Sequence, residues 1–375
     1  MKRLLVDIEP NGFFWQPTGS KLDSFIQKID LDLEYVNLLL GYDSMKQWGT
    51  TDVFQFFGRD TLDRLRSGNL VLCLDATLEG FGPDEVPIAR SLSASCIANN
   101  IDPKNIFFFT GNLAHRSEEI NVVPLFLLTA LYSTARVQVS LEWAKKECEK
   151  NYEKFILSLS RRNRHYRVFA HFYLAHTDLL EHSIVSQDRL DNFMMPSMVY
   201  SKLGLTVNDF ENFKKSLPFI ADEDNFNVND PANALHELHS KTLFSIVNET
   251  LQDDLKGTTL FFSEKFLKPI INFQPMVMYG HPGVNRKLAD LGFKTYEDYF
   301  DLDFDDEPDH ILRYKKLVES VKSTVDYLKT LNRTEQIAWR FKSMEVLEHN
   351  NKVMYDLDNS YLTSMKQLVT SLLMH

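Results

Sequence analysis

The chain has 375 residues, of which 44% are hydrophobic and 25% are charged, the composition of a folded globular protein long enough for two domains. Its 41 basic residues are outnumbered by 52 acidic ones, and the formal charge of −11 excludes a general attraction to polyanions such as nucleic acid. The three cysteines, Cys73, Cys96 and Cys148, lie too far apart to predict a disulfide framework or a zinc site, so a reducing, cytoplasmic location is expected. Because no stretch reaches 18 apolar residues, no stable membrane association is expected.

Strand and helix patterns alternate in the first half of the chain. "NLVLCLDAT" (69–77) and "NIFFFTG" (105–111) are typical of buried strands, and the run at 86–100 between them predicts a helix. "RLLVDIE" (3–9) predicts another strand, whereas residues 122–137 fit either a helix or a strand. This order indicates βαβ units and a parallel sheet.

A charged segment at 140–153 interrupts the alternation and is interpreted as a connection between domains. The pattern then resumes, with strands predicted at 154–160, 182–187, 241–250 and 274–280, and helices at 165–180 and near 206–216. From Tyr296 onwards the chain is mostly helical. The sequence therefore predicts an α/β protein with one domain at 1–150, a second at 151–330 and C-terminal helices at 331–375.

Ser263, Glu264 and Lys265 stand where a helix is predicted to begin after a strand and a loop. Ser263 is a typical N-cap, which would place Glu264 and Lys265 in the first helical turn. Free backbone N–H groups favour a phosphate there, a lysine adds positive charge, and a carboxylate can accept hydrogen bonds from ribose hydroxyls. In the alternative interpretation, Glu264 complements the helix dipole and pairs with Lys268, while Lys265 is solvated.

A second junction between a strand and a helix, "LSLSRRNRHYRVF" (157–169), contains four arginines, Arg164 and Arg167 among them. The guanidinium group stays charged and matches phosphate oxygens with a fixed fork of donors. This junction is therefore a candidate phosphate site, and a solvated basic turn is the alternative.

Carboxylates occur in two further segments. In "CLDATLEGFGPDE" (73–85), Asp75 and Glu79 are candidates for a general base toward an acceptor hydroxyl, or ordinary loop acids. In "DLDFDDEPD" (301–309), alternating acids could bind Mg²⁺ or Mn²⁺, although a solvated acidic turn is the preferred interpretation. His236 and His239 share a helical face without an HExxH motif, so a structural or surface role is predicted for both.

Several of these pieces together resemble a known family. The segment 244–283, "FSIVNETLQDDLKGTTLFFSEKFLKPIINFQPMVMYGHPG", is similar to the donor-binding segment of GT-B glycosyltransferases of the α-1,3-fucosyltransferase and exostosin-like group. Residues 247–249 correspond to that family's Phe-Glu-Asn-like element, and 263–265 to its Thr-Glu-Lys motif. "RHYRVFAHFYL" resembles the arginine-led helix, with Arg167 at the phosphate-binding position. The greatest similarity is to phage-type glycosyltransferases, which carry "KPI…QP…YG.PG…LGF" after the Glu-Lys pair.

The resemblance implies two Rossmann-like domains facing a cleft, an acceptor-side domain at 1–150 and a nucleotide-sugar-binding domain at 151–330, with the C-terminal helices at 331–375 packing back across them. In the second domain it implies Glu264 on the ribose of a nucleotide sugar and Lys265 and Arg167 on its diphosphate. It also implies that Asn248 or Glu249 lies near the donor sugar. The predicted function is metal-independent transfer of a sugar to an acceptor hydroxyl, with the nucleotide sugar as co-substrate and no other cofactor. If the reaction inverts the anomeric centre, Glu79 is the first candidate for the base and Asp75 the second.

The acceptor is left open between a modified DNA base and a glycan, and a phage-encoded enzyme would act in the host cytoplasm. Two other classes of function remain as alternatives. One is a metal-dependent transferase that uses residues 301–306, and the other is a non-catalytic nucleotide-binding or scaffold protein.

Overall fold

The computed structural model describes residues 1–4, 14–15, 21–30, 32–40, 52–77, 87–125, 138–161, 163–221, 234–249 and 259–374. The chain divides into two compact units. The first comprises residues 1–130, 256–262 and 357–375, and the second comprises residues 131–255 and 263–356. Each unit contains a predominantly parallel sheet with helices, which confirms the predicted α/β class.

The sheet of the first unit has six strands: β1 (Lys2–Arg3), β2 (Phe14–Trp15), β3 (Glu34–Leu40), β4 (Leu70–Ala76), β5 (Ile106–Thr110) and β6 (Asn121–Pro124). Strands β1, β3, β4, β5 and β6 are parallel neighbours in that order, and β2 pairs antiparallel with β3. All residues of β4 and β5 are buried, as expected for a parallel sheet covered on both faces. The helices of this unit include α1 (Lys21–Ile26), α2 (Arg59–Arg66) and α3 (Ile88–Ala98).

These elements confirm the strands predicted at 69–77 and 105–111 and the helix between them. The ambiguous segment at 122–137 begins as strand β6, and its residues 126–137 lie outside the described part of the chain. Most of the strand predicted at 3–9 also lies outside it.

The sheet of the second unit has four parallel strands: β7 (Lys154–Leu159), β8 (Ser183–Ser186), β9 (Thr242–Asn248) and β10 (Met276–Tyr279). All four form where the sequence predicts them, because each is a short apolar run between turns. The helices are α4 (Leu141–Asn151), α5 (His165–His176), α6 (Ser197–Leu203), α7 (Val207–Lys215), α8 (His236–Ser240), α9 (Leu267–Ile271), α10 (Val284–Lys287), α11 (His310–Lys329), α12 (Arg333–Arg340) and α13 (Met344–Met374). The charged segment at 140–153 thus forms α4, which begins at the N-cap Ser140.

The strand order of this sheet is β10-β9-β7-β8. From β7 the chain passes through α5 to β8 on one side, and it later returns to β9 on the other side of β7 before continuing outwards to β10. The connections that follow β7 and β9 therefore leave in opposite directions. Such a reversal opens a crevice at the carboxyl ends of the two strands, which is where ligands bind in open α/β sheets.

None of the described helices is long and apolar enough to cross a membrane.

Candidate functional site at the carboxyl edge of the second sheet

One side of the crevice is the basic junction between β7 and α5. Arg164 is the N-cap residue of α5 and makes no capping hydrogen bond with its side chain. Its Nη1 donates to the Tyr166 hydroxyl at 3.1 Å, and the guanidinium of Arg167 lies 5.7 Å from the centre of the same ring. Arg167 is only 5% exposed, and burial lowers its pKa from the ordinary value of 12.5. Positive charge is thus concentrated at the N-terminal end of a 12-residue helix.

The other side of the crevice is the end of β9, where Asn248 and Glu249 are both buried. The Glu249 backbone N–H donates to the Tyr279 carbonyl at 2.8 Å, which continues the pairing of β9 with β10. A side chain at Gly280 would bring its Cβ within 3.3 Å of both Glu249 Cβ and Val284, so glycine permits this close approach. Burial raises the pKa of Glu249, and the Lys265 ammonium opposes that shift.

The segment 263–265 differs from its prediction. Residues 264–266 form a turn, and α9 begins only at Leu267 with Phe266 as its N-cap, so the predicted N-cap at Ser263 is wrong. The Ser263 hydroxyl instead accepts from the backbone N–H of Lys265 at 3.4 Å and from its Nζ at 3.3 Å. The late start places Pro269 in the first turn of α9, where its missing N–H breaks no helical hydrogen bond. Because α9 has five residues, the side chains rather than its dipole must supply the positive charge.

Lys265 connects the two sides of the crevice electrostatically. Its side chain is half-buried, and burial lowers its pKa to about 8. The charges of Arg164 and Arg167 lower that pKa further, whereas Glu249 and Glu264 raise it. The structure therefore brings the donor-site residues predicted from sequence to one edge of one sheet: Arg164, Arg167, Asn248, Glu249, Ser263, Glu264 and Lys265.

Beneath this edge lies a buried network of polar side chains that sequence reasoning missed. Asn248 Nδ2 donates at 3.1 Å to the hydroxyls of Ser158 and Ser160, and Ser158 Oγ lies 3.1 Å from Nε2 of His171. The opposite ring nitrogen, Nδ1, lies 3.1 Å from Gln187 Oε1. Ser158 lies in β7 and Ser160 directly follows that strand, two positions further on and so on the same face, and His171 follows Arg167 by one turn in a largely apolar helix. These two spacings were the features of the sequence from which the network could have been predicted.

The two candidate bases are not both described. Asp75 is the last residue but one of β4 in the first unit, is 3% exposed, and accepts from the Thr77 backbone N–H at 3.1 Å and from its hydroxyl at 2.8 Å. Burial raises the pKa of Asp75 from 3.8. Glu79 lies outside the described residues.

The acidic run at 301–309 organises the turn that follows β10. Asp305 is fully buried and accepts from the backbone N–H of Asn285 at 3.0 Å, from its Nδ2 at 2.7 Å and from the backbone N–H of Arg286 at 3.1 Å. Asp309 caps α11 by accepting from the first backbone N–H groups of that helix. The predicted solvated turn is correct for the exposed Asp301 and Asp303 but wrong for Asp305. Within the described ranges, no group of three or more His, Cys, Asp or Glu is arranged to hold a metal ion.

The pair of histidines has the structural role predicted for it. His239 Nδ1 lies 2.6 Å from Gln274 Oε1, and burial lowers the pKa of His239 to about 3, so the ring is neutral. His236 Nδ1 lies 2.6 Å from Asn272 Oδ1.

No protein-family model and no curated protein matches the sequence. Among solved structures, a trehalose-6-phosphate synthase, OtsA, is similar over 94% of this chain and 95% of its own, with 10% identity and a TM-score of 0.37. An alpha,alpha-trehalose-phosphate synthase (UDP-forming) from Burkholderia vietnamiensis is similar over 92% of this chain and 76% of its own, with 12% identity and a TM-score of 0.34. Backbones that differ this much do not define a common function, so the function is argued from the site.

Proposed function

We propose that the protein is a GT-B-type glycosyltransferase that moves a sugar from a nucleotide-sugar donor to an acceptor hydroxyl, with the donor bound at the carboxyl edge of the second sheet. The observation that carries this proposal is the convergence of Arg167 and Lys265 on one crevice from two different connections. Taking two like charges out of water is costly unless something offsets them. With Arg164 included, three positive charges face the two carboxylates of Glu249 and Glu264, so the net charge of these five groups is positive and favours an anionic ligand such as a diphosphate.

The roles follow from charge and exposure. Lys265 and Arg167 stabilise the negative charge that develops on the leaving nucleoside diphosphate, a form of electrostatic preorganisation that needs no metal ion. Arg164 adds a donor at the start of α5. Glu264 is half-buried, which leaves its carboxylate accessible to the ribose hydroxyls of the donor.

The acceptor side belongs to the first unit in this proposal. For an inverting reaction, Glu79 is the first candidate for the base and Asp75 the second, since burial already raises the pKa of Asp75 toward the range that suits proton transfer. A retaining reaction needs no such base. The acceptor is a glycan or a modified DNA base, and the DNA base would have to be extruded from its duplex.

A binding panel tests the proposal. UDP, GDP, ADP and their glucose or mannose conjugates are added to the purified chain, with and without EDTA, and the melting temperature and heat of binding are recorded. We expect one nucleotide series to bind whether or not EDTA is present. Absence of binding by every probe would overturn the donor site, and binding only with added Mg²⁺ or Mn²⁺ would favour a metal-dependent transferase. Donor binding without turnover across an acceptor screen would favour the non-catalytic alternative.

A further inference from the structure

The buried network under the crevice is a single chain of hydrogen bonds that extends from the donor site to the surface. It runs from Asn248 through Ser158, His171 and Gln187 to Asn163, whose Oδ1 lies 2.7 Å from Gln187 Nε2. Ser158, His171, Gln187 and Asn248 are each at most 1% exposed, so the hydrogen bonds between them lie within the protein interior. We name these five residues the Asn248 relay.

A fixed acceptor at the far end sets the direction of the relay. Asn163 Nδ2 donates to the backbone carbonyl of Arg189 at 2.7 Å, and a carbonyl can only accept. The Oδ1 of Asn163 must therefore face Gln187, which donates through Nε2 and turns its own Oε1 toward His171. Each amide along the relay is oriented by the one before it.

The direction of the relay also determines which ring nitrogen of His171 carries the proton. Gln187 Oε1 is an acceptor, so His171 carries its proton on Nδ1 and presents the lone pair of Nε2 to Ser158. The Ser158 hydroxyl then donates to His171 and can only accept from Asn248. Rotating the Asn248 amide by 180° would set its oxygen against an acceptor lone pair of Ser158, so the amide is held with Nδ2 toward the two serines.

This orientation of the Asn248 amide determines the environment of its oxygen, Oδ1. With both N–H groups given to Ser158 and Ser160, the buried Oδ1 of Asn248 has no hydrogen-bond partner among the residues that the structure describes. Leaving such an acceptor unsatisfied destabilises the fold, and a ligand that donates a hydrogen bond to it would remove that cost. Asn248 ends β9 beside Glu249, at the mouth of the crevice that the reversal of strand order opens.

We infer that the relay holds Asn248 as an obligate acceptor for a hydroxyl of the donor, and that His171 is the positioning residue that prevents this amide from turning its N–H toward a phosphate. The inference rests on the proposed function, because the ligand whose hydroxyl binds Asn248 is the nucleotide-sugar donor of that function. It divides the site into two parts: Arg167 and Lys265 bind the diphosphate, and Asn248 selects a hydroxyl of the ribose or of the transferred sugar.

The direction of the relay can be tested without any ligand. Long-range proton–nitrogen spectra of protein labelled with ¹⁵N-histidine distinguish the two neutral tautomers, and the His171 signals are identified by their loss in His171→Gln. We expect the Nδ1–H form. An Nε2–H form would reverse every bond of the relay and overturn the inference.

The contact with the ligand is tested by a double-mutant cycle. UDP, GDP and ADP are each compared with their 2′-deoxy and 3′-deoxy forms, and their glucose conjugates are compared with the matching deoxyglucose conjugates, on wild type and Asn248→Leu. Loss of the contacted hydroxyl should cost wild type roughly fivefold to tenfold in affinity and cost the variant nothing. Coupling in the deoxy pairs would assign the hydroxyl to the ribose, and coupling in the conjugates would assign it to the sugar.

The variant His171→Phe distinguishes a role of His171 in orienting the Asn248 amide from a purely structural role of its ring. It keeps the ring volume and removes both nitrogens, so the same coupling should disappear while affinity for inorganic pyrophosphate, which has no sugar hydroxyl for Asn248 to bind, stays within about twofold. Coupling that persists in both variants would overturn the role of the relay. If wild type binds no probe at all, the proposed function and the hydroxyl contact both fall, whereas the tautomer of His171 still decides the direction of the relay.

Discussion

Glu249 Oε1 accepts a hydrogen bond from the backbone N–H of Ser263 at 3.1 Å, so the carboxylate at the end of β9 holds the turn that carries Glu264 and Lys265. Fourteen residues separate the two partners in the chain. Glu249 is fully buried, and its carboxylate also faces the Lys265 ammonium. One carboxylate therefore both positions the turn and offsets the charge of its lysine.

Glu249→Ala should destabilise the protein by about 1–3 kcal/mol, because it leaves the buried Ser263 N–H without its acceptor and removes one of the two carboxylates that face Lys265. Glu249→Gln keeps an acceptor oxygen and should lose less. Urea unfolding of both variants measures the difference. Equal losses would show that the hydrogen bond to Ser263 contributes nothing specific.

Lys265→Ala should weaken the binding of a nucleoside diphosphate by about 10- to 150-fold, the equivalent of about 1.5–3 kcal/mol for a charge-assisted contact. Lys287→Ala is the matched control, since that exposed lysine pairs with Asp290 at the surface of the same unit. Isothermal titration calorimetry on both variants makes the comparison. Unchanged affinity in Lys265→Ala would contradict the donor site.

Affinity for the diphosphate should also fall as the pH rises above 8. Burial lowers the pKa of Lys265 to about 8, so the ammonium proposed to bind phosphate is present below that pH and is lost above it. A bound phosphate raises this pKa, which spreads the loss, at up to about tenfold per pH unit, over the range above 8. Titrations from pH 6.5 to 9.5 on wild type and Lys265→Arg measure it, because arginine remains charged throughout. A flat wild-type profile would contradict the role of Lys265.

Asp305→Ala should lower the free energy of unfolding by at least about 2 kcal/mol, because the N–H groups of Asn285 and Arg286 would lose a buried acceptor. The exposed Asp303→Ala, two residues away, should change stability by less than about 0.5 kcal/mol. Thermal and urea unfolding measure both. If Asp303→Ala abolished turnover and wild type were inactivated by EDTA, the metal-dependent alternative would replace the proposed mechanism.

Glu79→Gln should leave donor binding intact and abolish transfer to the acceptor if the enzyme inverts, because the amide cannot take a proton from the acceptor hydroxyl. Asp75→Asn is the comparison, and its effect on turnover ranks the second candidate. Turnover and donor affinity are measured separately on each variant. Full activity of Glu79→Gln would remove that residue as the base.

The sequence by itself determined the α/β class and the location of many of the strands and helices. Runs such as 69–77 and 154–160 are apolar, short and bounded by turns, and these local properties are sufficient for a strand. It also indicated Arg167 and Lys265, because each follows a predicted strand and carries positive charge in an acidic protein. Strand runs and the charged residues that follow them can be predicted from the sequence because they depend on neighbours a few residues away.

Only the tertiary structure decided how these residues meet. The order β10-β9-β7-β8, which places the ends of β7 and β9 side by side, depends on pairing between segments some 90 residues apart. Before the late start of α9, the Ser263 N–H donates to Glu249. Helix propensities could not predict this hydrogen bond, because they describe only neighbouring residues. The orientation of Asn248 depends on a backbone carbonyl at Arg189, reached through four other side chains. Local sequence patterns predict helices and strands. The site depends on hydrogen bonds and charges between segments that are distant in the chain, and sequence spacing does not show which of these segments meet in the folded protein.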